Sequence, residues 1–341
     1  MVNSTTRDIG GNQPNRGNRR VSYRQLLKGY HAIIFTVQDY PDPAIPNLRT
    51  PANDGRNLAD LLVSHCGFPA DNVVLCRESD VTWDRLDDRL RGFISNLSHD
   101  DSLLIYFAGH GEADSATRES YWLPHDAQKD NRRTWYSHDR LHRTIAEIKA
   151  RHIAVVSDSC FSGRLLRSAS EIKNDSDEVW IKDAVQSRSR MALTSGGDHP
   201  ASDEGAAGLS IFNLNLTEVI RTSERRVFTL GQVAYSIQSM IPNQRVCYGP
   251  LPDIAHKNGE FVLFRTDEPG VSTEKEPEDS EVKSSFSKLT PESYSGRDSR
   301  LTVLQSRTKN VLFGSYFLFA TLFLFLAYIC FCVIFSFVVV L

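Results

Sequence analysis

Two short stretches of this sequence hold residues able to do nucleophilic chemistry. In Tyr106-Phe107-Ala108-Gly109-His110-Gly111 an apolar run ends in a histidine flanked by glycines. In Val155-Val156-Ser157-Asp158-Ser159-Cys160-Phe161-Ser162-Gly163 a second apolar run ends in a polar turn that carries a cysteine and closes on glycine. A cysteine attacks through its thiolate. An imidazole can hold the thiol proton at neutral pH and later deliver one to a leaving amine. The glycines beside His110 permit close backbone approach and unusual dihedrals. Fifty residues separate His110 from Cys160, so only the fold can bring them together. A lone histidine or cysteine is usually part of a core. Two glycine-framed polar turns, each at the end of an apolar run, point instead to a catalytic pair.

The surrounding pattern supplies the elements that must position this pair. Short apolar runs at 32–37, 72–76, 102–107, 152–157 and 191–194 read as buried strands. Amphipathic segments at 51–66, 82–97, 139–149 and 209–222 read as helices, with a weaker helix at 233–240 and a last strand at 261–264. Strands alternating with helices predict an α/β domain: a mainly parallel sheet covered on both faces, with its site beyond the carboxyl ends of the strands. No internal repeat is visible.

At these residues the chain resembles the caspase family of cysteine peptidases, on the side of its bacterial caspase-like and metacaspase branch. The motifs at 106–111 and 158–163 carry the likeness. Weaker support comes from PANDGRNL at 51–58, YWLPHDA at 121–127, SRMALTSGG at 189–197 and the segment 208–214. The likeness spans roughly residues 30–264. It implies a caspase-like three-layer sandwich and a cysteine endopeptidase acting through a thioester on Cys160. His110 would protonate the leaving amine and then activate water. The backbone N–H groups of Gly111 and Cys160 would form the oxyanion hole, each donor contributing roughly 3–4 kcal/mol.

Two acidic residues bear on specificity. Asp158 precedes Cys160 by two, so a continued strand would point both side chains the same way. The animal caspases carry glutamine there, in a pocket that accepts aspartate. Asp54, in the Asn53-Asp54-Gly55 stretch, matches a second pocket acid of metacaspases. Two carboxylates in the pocket for the residue before the scissile bond favour arginine, then lysine, and repel aspartate. Asp54 has a competing role as a helix N-cap. The polar segment 164–190, with Arg164, Arg167, Arg188 and Arg190, lies where caspases carry an activation linker. An arginine-preferring enzyme could cut itself there; the plainer reading is a surface loop. Metacaspases often bind calcium through aspartates. Asp126 and Asp139 fall near that region, but His138 stands where a further acid is expected and Arg167 follows in the post-cysteine loop, whereas a hard cation wants several oxygens. No metal and no cofactor is predicted.

Composition bounds the rest. Of 341 residues 40% are hydrophobic and 24% charged, and the net charge is -3. This is ordinary globular composition, without the basic excess of a nucleic-acid binder. The Arg-rich residues 1–21 read as a disordered tail. Six cysteines without disulfide or metal spacing fit a reducing compartment. The first 30 residues hold no apolar signal-peptide core.

The domain is expected over 22–265. An acidic, Ser- and Pro-rich linker follows at 266–310. From Val311 to Leu341 no residue is charged. A helix of that length reaches about 46 Å, more than a bilayer core needs. It predicts one transmembrane tail anchor. Arg300, Arg307 and Lys309 before it would keep the catalytic domain cytoplasmic. No intramembrane charge points to transport. Expected partners are protein or peptide substrates and the membrane, with any upstream activator left open. Two other readings remain at this level: a catalytically silent membrane scaffold, and an effector whose apolar tail perturbs the bilayer.

Overall fold

The computed structural model describes residues 27–266, except 115, 118, 161–164, 167–177, 197–206, 242–245 and 253–254. The N-terminal tail, all but the first residue of the linker, the apolar stretch 311–341, Arg164 and Arg167 lie outside the described residues. Among the described residues no helix is long and apolar enough to cross a membrane.

In chain order the elements are β1 (Gly29–Thr36), α1 (Pro51–Ser64), β2 (Val73–Arg77), α2 (Trp83–Asn96), β3 (Asp101–Ala108), β4 (Gly111–Ala113), β5 (Ser120–Trp122), β6 (Tyr136–Ser137), α3 (His138–Glu147), β7 (His152–Asp158), α4 (Glu178–Gln186), β8 (Ser189–Thr194), α5 (Ile211–Thr222), β9 (Val227–Thr229), α6 (Leu230–Met240), β10 (Cys247–Pro250) and β11 (Val262–Phe264). The main sheet runs β10-β8-β7-β3-β1-β2. All its pairings are parallel except β10 against β8. Small antiparallel sheets form from β4-β5-β6 and from β11-β9.

Alternation along the strands divides the core in two. Ile34, Tyr106, Val156 and Leu193 pack on one face with Leu58 of α1, Val185 of α4, Phe212 of α5 and Ile237 of α6. Ile33, Phe107, Val155 and Ala192 pack on the other with Leu86 and Leu90 of α2 and with Leu141 and Ile145 of α3. Because both faces are covered, the central strands β3, β7 and β8 are buried almost throughout and read as continuous apolar runs, while the edge strand β2 is only partly buried. The result is an α/β sandwich of helices, mostly parallel sheet, and helices.

Helix starts follow local chemistry. Thr82, Ser137 and Ser210 each accept a first-turn amide, and Thr229 with Gln232 forms a capping box. The threonine expected to open the second helix is therefore its cap, and the fifth helix starts two residues later than its apolar pattern. The last strand expected at 261–264 is β11, whereas β9, β10 and the β4-β5-β6 sheet were not legible in the sequence, since two- to four-residue strands carry too few alternations.

The segment 164–190 is not one loop. It contains α4 and the start of β8. Arg190 is fully buried in β8, so it is not an accessible cleavage point. Its Nη1 donates to the carbonyls of Arg151 and Ser189 at 3.0 and 2.7 Å. Its Nη2 donates to those of Ile148 and Ala150 at 2.9 and 2.8 Å. The guanidinium thus closes the negative C-terminal end of α3 against the sheet. Burial, then Arg188, depresses its pKa to about 9, which leaves it charged at neutral pH. Arg190→Met removes these four bonds, while the Arg151 carbonyl keeps the Ser189 amide at 2.9 Å and the Ile148 carbonyl keeps Arg188 Nη2 at 3.3 Å. Loss of the charged clasp should cost about 3 kcal/mol. For a domain of this size the melting temperature should fall by roughly 6–12 °C. A thermal melt unchanged within about 2 °C would show that the guanidinium is not the clasp.

Candidate active site

His110 follows the end of β3, and Cys160 follows the end of β7, its neighbour in the sheet. Ala108 and Asp158 are register partners, so the two turns leave the sheet side by side. Each flanking glycine has a specific reason. A Cβ on Gly111 would lie 2.2 Å from the carbonyl oxygen of Cys160. A Cβ on Gly109 would lie 3.0 Å from the phenol oxygen of Tyr40 and 3.1 Å from the Phe107 ring. The first closeness brings the backbone of the histidine turn against that of the cysteine turn.

The imidazole is oriented by main-chain groups. His110 Nε2 sits 2.8 Å from the carbonyl of Pro46. A carbonyl only accepts, so Nε2 carries a proton and Nδ1 is the nitrogen left to serve a thiol. The His110 carbonyl accepts the Leu123 amide at 3.0 Å. That bond makes Gly111 and Trp122 a non-hydrogen-bonded pair of the antiparallel β4-β5 ladder. Since β4 is an edge strand, the Gly111 N–H points away from β5.

Beneath Cys160, which is half-buried, Trp122 Nε1 donates to Ser157 Oγ at 2.9 Å, and Ser157 Oγ meets Ser159 Oγ at 2.9 Å. The Trp122 ring stacks on Phe107 at 4.5 Å. These contacts hold the cysteine turn from the α3 side of the sheet.

The two acids lie on the opposite side and converge on one residue. β7 ends at Asp158 itself, and its side chain turns toward α5, where Asp158 Oδ2 accepts the Ser210 hydroxyl at 2.5 Å. Asp54 Oδ1 accepts the Ser210 amide at 2.9 Å. Ser210 Oγ in turn caps α5 by accepting the Asn213 amide at 2.9 Å. Asn213 Nδ2 reaches the Asp54 carbonyl and the Tyr106 phenol oxygen, both at 3.1 Å. Both carboxylates therefore stand at the positive N-terminal end of α5. Burial, then the fields of Asp158 and Asp54, pushes the Tyr106 phenol well above its ordinary pKa and keeps it neutral.

Asp54 is not an N-cap. Thr50 holds that position with Pro51 just inside, so Asp54 falls at the end of the first turn. It is 1% exposed, and Asp158 is 8% exposed. Ala207 and Gly208 have φ of 60 and 73, and the Gly208 carbonyl accepts Asn53 Nδ2 at 3.1 Å. This left-handed pair turns the chain so that Ser210 faces both acids.

Of the residues weighed for calcium, Asp126 and His138 have other partners. Asp126 Oδ1 accepts the Trp83 amide at 2.8 Å at the start of α2. His138 is buried with Nδ1 2.7 Å from Ser120 Oγ. Burial, then His142, drops its pKa well below the usual value. Asp139 is exposed in the first turn of α3. Among the described residues no three His, Cys, Asp or Glu side chains are grouped to hold a metal ion.

Sequence reasoning missed Tyr40, Pro46, Ser210 and Asn213. Pro46 acts through its carbonyl, which leaves no side-chain signature. The Ser210 cap was readable as a serine before an apolar-periodic run.

A mostly parallel α/β sheet that carries a histidine turn and a cysteine turn on adjacent strand ends defines the architecture of a cysteine-peptidase fold. The sequence matches the caspase domain over residues 30–255. The chain belongs to the caspase family, a family of cysteine-type peptidases. Among solved structures, a protein from Geobacter sulfurreducens is 15% identical, with a TM-score of 0.48 over 68% of this chain and 99% of its own. Caspase-1 from Spodoptera frugiperda is 16% identical, with a TM-score of 0.48 over 70% of this chain and 93% of its own. No curated protein matches the chain in sequence.

Proposed function

We propose that this chain is a cysteine endopeptidase that cleaves after arginine, then lysine, and works tethered to a membrane. The observation that carries the catalytic reading is the approach of the Gly111 backbone to the Cys160 carbonyl. It sets the histidine turn against the nucleophile turn. Cys160 Sγ attacks the scissile carbonyl and forms a tetrahedral oxyanion, which the Gly111 and Cys160 N–H groups receive. The oxyanion collapses to a thioester as protonated His110 gives its Nδ1 proton to the leaving amine. His110 then takes a proton from water, and the hydroxide formed hydrolyses the thioester. Pro46 holds Nε2–H throughout, so the ring presents the same nitrogen in both half-reactions.

The basic preference rests on Asp54 and Asp158 meeting at Ser210. Two carboxylates gathered at the N-terminal end of α5 attract a guanidinium and oppose a substrate carboxylate. No metal or cofactor enters the chemistry. The affinity with the bacterial and metacaspase branch belongs to this reading, as do the anchor at 311–341, a cytoplasmic catalytic domain, and a role in regulated proteolysis, cell death or defence. Self-processing is drawn to Arg164, Arg167 or Arg188, because Arg190 is buried.

The purified full-length chain, beside its Cys160→Ala variant, should hydrolyse fluorogenic peptides in the order arginine, lysine, then aspartate. A chelator should leave the rates unchanged, and new N-termini should appear within 165–189 only in the wild type. Faster turnover of the aspartate peptide than of the arginine peptide would sink the specificity reading.

A further inference from the structure

The His110 main chain is held as closely as its side chain. The His110 amide donates to the phenol oxygen of Tyr40 at 2.8 Å. Tyr40 follows β1, a different strand, and is buried. Its hydroxyl donates onward to the Leu123 carbonyl at 3.3 Å. Leu123 also gives its amide to the His110 carbonyl, so the phenol closes a bridge around the histidine backbone. The Tyr40 and His110 rings lie 5.2 Å apart at 47°. The Tyr40 amide donates to Asn47 Oδ1 at 2.8 Å. That bond folds the 40–47 loop and sets the adjacent Pro46, whose carbonyl takes Nε2–H. One residue therefore supports the imidazole through its backbone, its ring face and its Nε2 partner.

The sequence carries the imprint of this arrangement. A side chain at 109 would press its Cβ against the phenol oxygen. Gly109 is what lets Tyr40 reach the His110 amide. Burial, with the fields of Glu78 and Cys160 adding, keeps the phenol neutral, so it remains a donor and an acceptor.

We infer that Tyr40 is the positioning residue of the catalytic pair: its hydroxyl fixes the His110 turn so that Nδ1 faces Cys160. This rests on the dyad reading above. Phenylalanine keeps the ring and removes only the bridge. In full-length Tyr40→Phe, kcat for an arginine peptide should fall about ten- to a hundredfold through a misplaced imidazole. KM should stay within about twofold, because the acids at Ser210 are untouched. Alkylation of Cys160 by iodoacetamide, which needs no turnover, should have its pH midpoint raised by about half a unit or more, since a displaced imidazolium holds the thiolate less well.

Gly109→Ala should copy the loss by pushing on the phenol oxygen, and its effect should be smaller, though not zero, once Tyr40 is already phenylalanine, because the added Cβ still meets the Phe107 ring. An unchanged kcat, or a loss of activity with the alkylation midpoint unmoved, would overturn the inference. If Cys160→Ala retained peptidase activity, the dyad reading would fail instead, and the alkylation midpoint would still report whether Tyr40 governs the thiol.

Discussion

Cys160→Ala should lower peptide hydrolysis by roughly 10⁴–10⁶-fold, by analogy with measured losses of a sole nucleophile. The folded state should survive the change. The tight contact at this turn is between Gly111 and the Cys160 carbonyl, a main-chain group that alanine keeps. The Ser157–Ser159 and Trp122–Ser157 bonds below it are likewise untouched. His110→Ala should cost about 10²–10⁴-fold, the usual worth of a positioned acid–base group. It leaves the hydrogen bond from the backbone amide at 110 to the Tyr40 phenol oxygen in place. The two losses should not add, because neither residue has its function without the other. The measurement is product formation over long incubations of full-length protein, with thermal melts as the folding control. Residual activity of Cys160→Ala above about one part in a hundred would assign the nucleophile elsewhere.

Asp158→Asn should reduce kcat/KM for an arginine peptide by about 10²–10³-fold, in line with the 2–5 kcal/mol measured when one member of a buried charge pair is truncated. An asparagine oxygen can still accept the Ser210 hydroxyl, so the cap of α5 is kept and the melting temperature should move little. Asp54→Asn should act in the same direction, and its amide oxygen can still accept the Ser210 N–H. A peptide with an uncharged residue before the scissile bond provides the contrast. Its turnover should change by less than about threefold, since no substrate charge is lost with the pocket charge. An arginine-to-neutral ratio preserved in both variants would remove these acids from the specificity pocket and leave them as anchors of α5.

Much of this was legible because local chemistry is written locally. The parallel strands announce themselves as apolar runs when both sheet faces are covered, as at 102–107 and 152–157. Helices α1, α2, α3 and α5 announce themselves by period, and the two turns by their glycines. Family membership follows from the same residues. What local pattern could not show was how a site is assembled across the chain. That Asp54 is the close of a first turn and not a cap depended on where Pro51 began the helix. That Arg190 is a buried clasp and not a cleavage point depended on which carbonyls surrounded it.

The candidate His110–Cys160 pair, the two acids and the apolar stretch at 311–341 were thus readable from the sequence alone, because residue type and spacing carry those signals. The tertiary structure decided what holds the pair: the Pro46 carbonyl on Nε2, the Tyr40 phenol on the His110 amide, and Ser210 between two carboxylates. A carbonyl belongs to every residue, and a phenol 70 positions away in the chain has no periodicity linking it to its target. Only folding, which trades sequence distance for spatial contact, could select them.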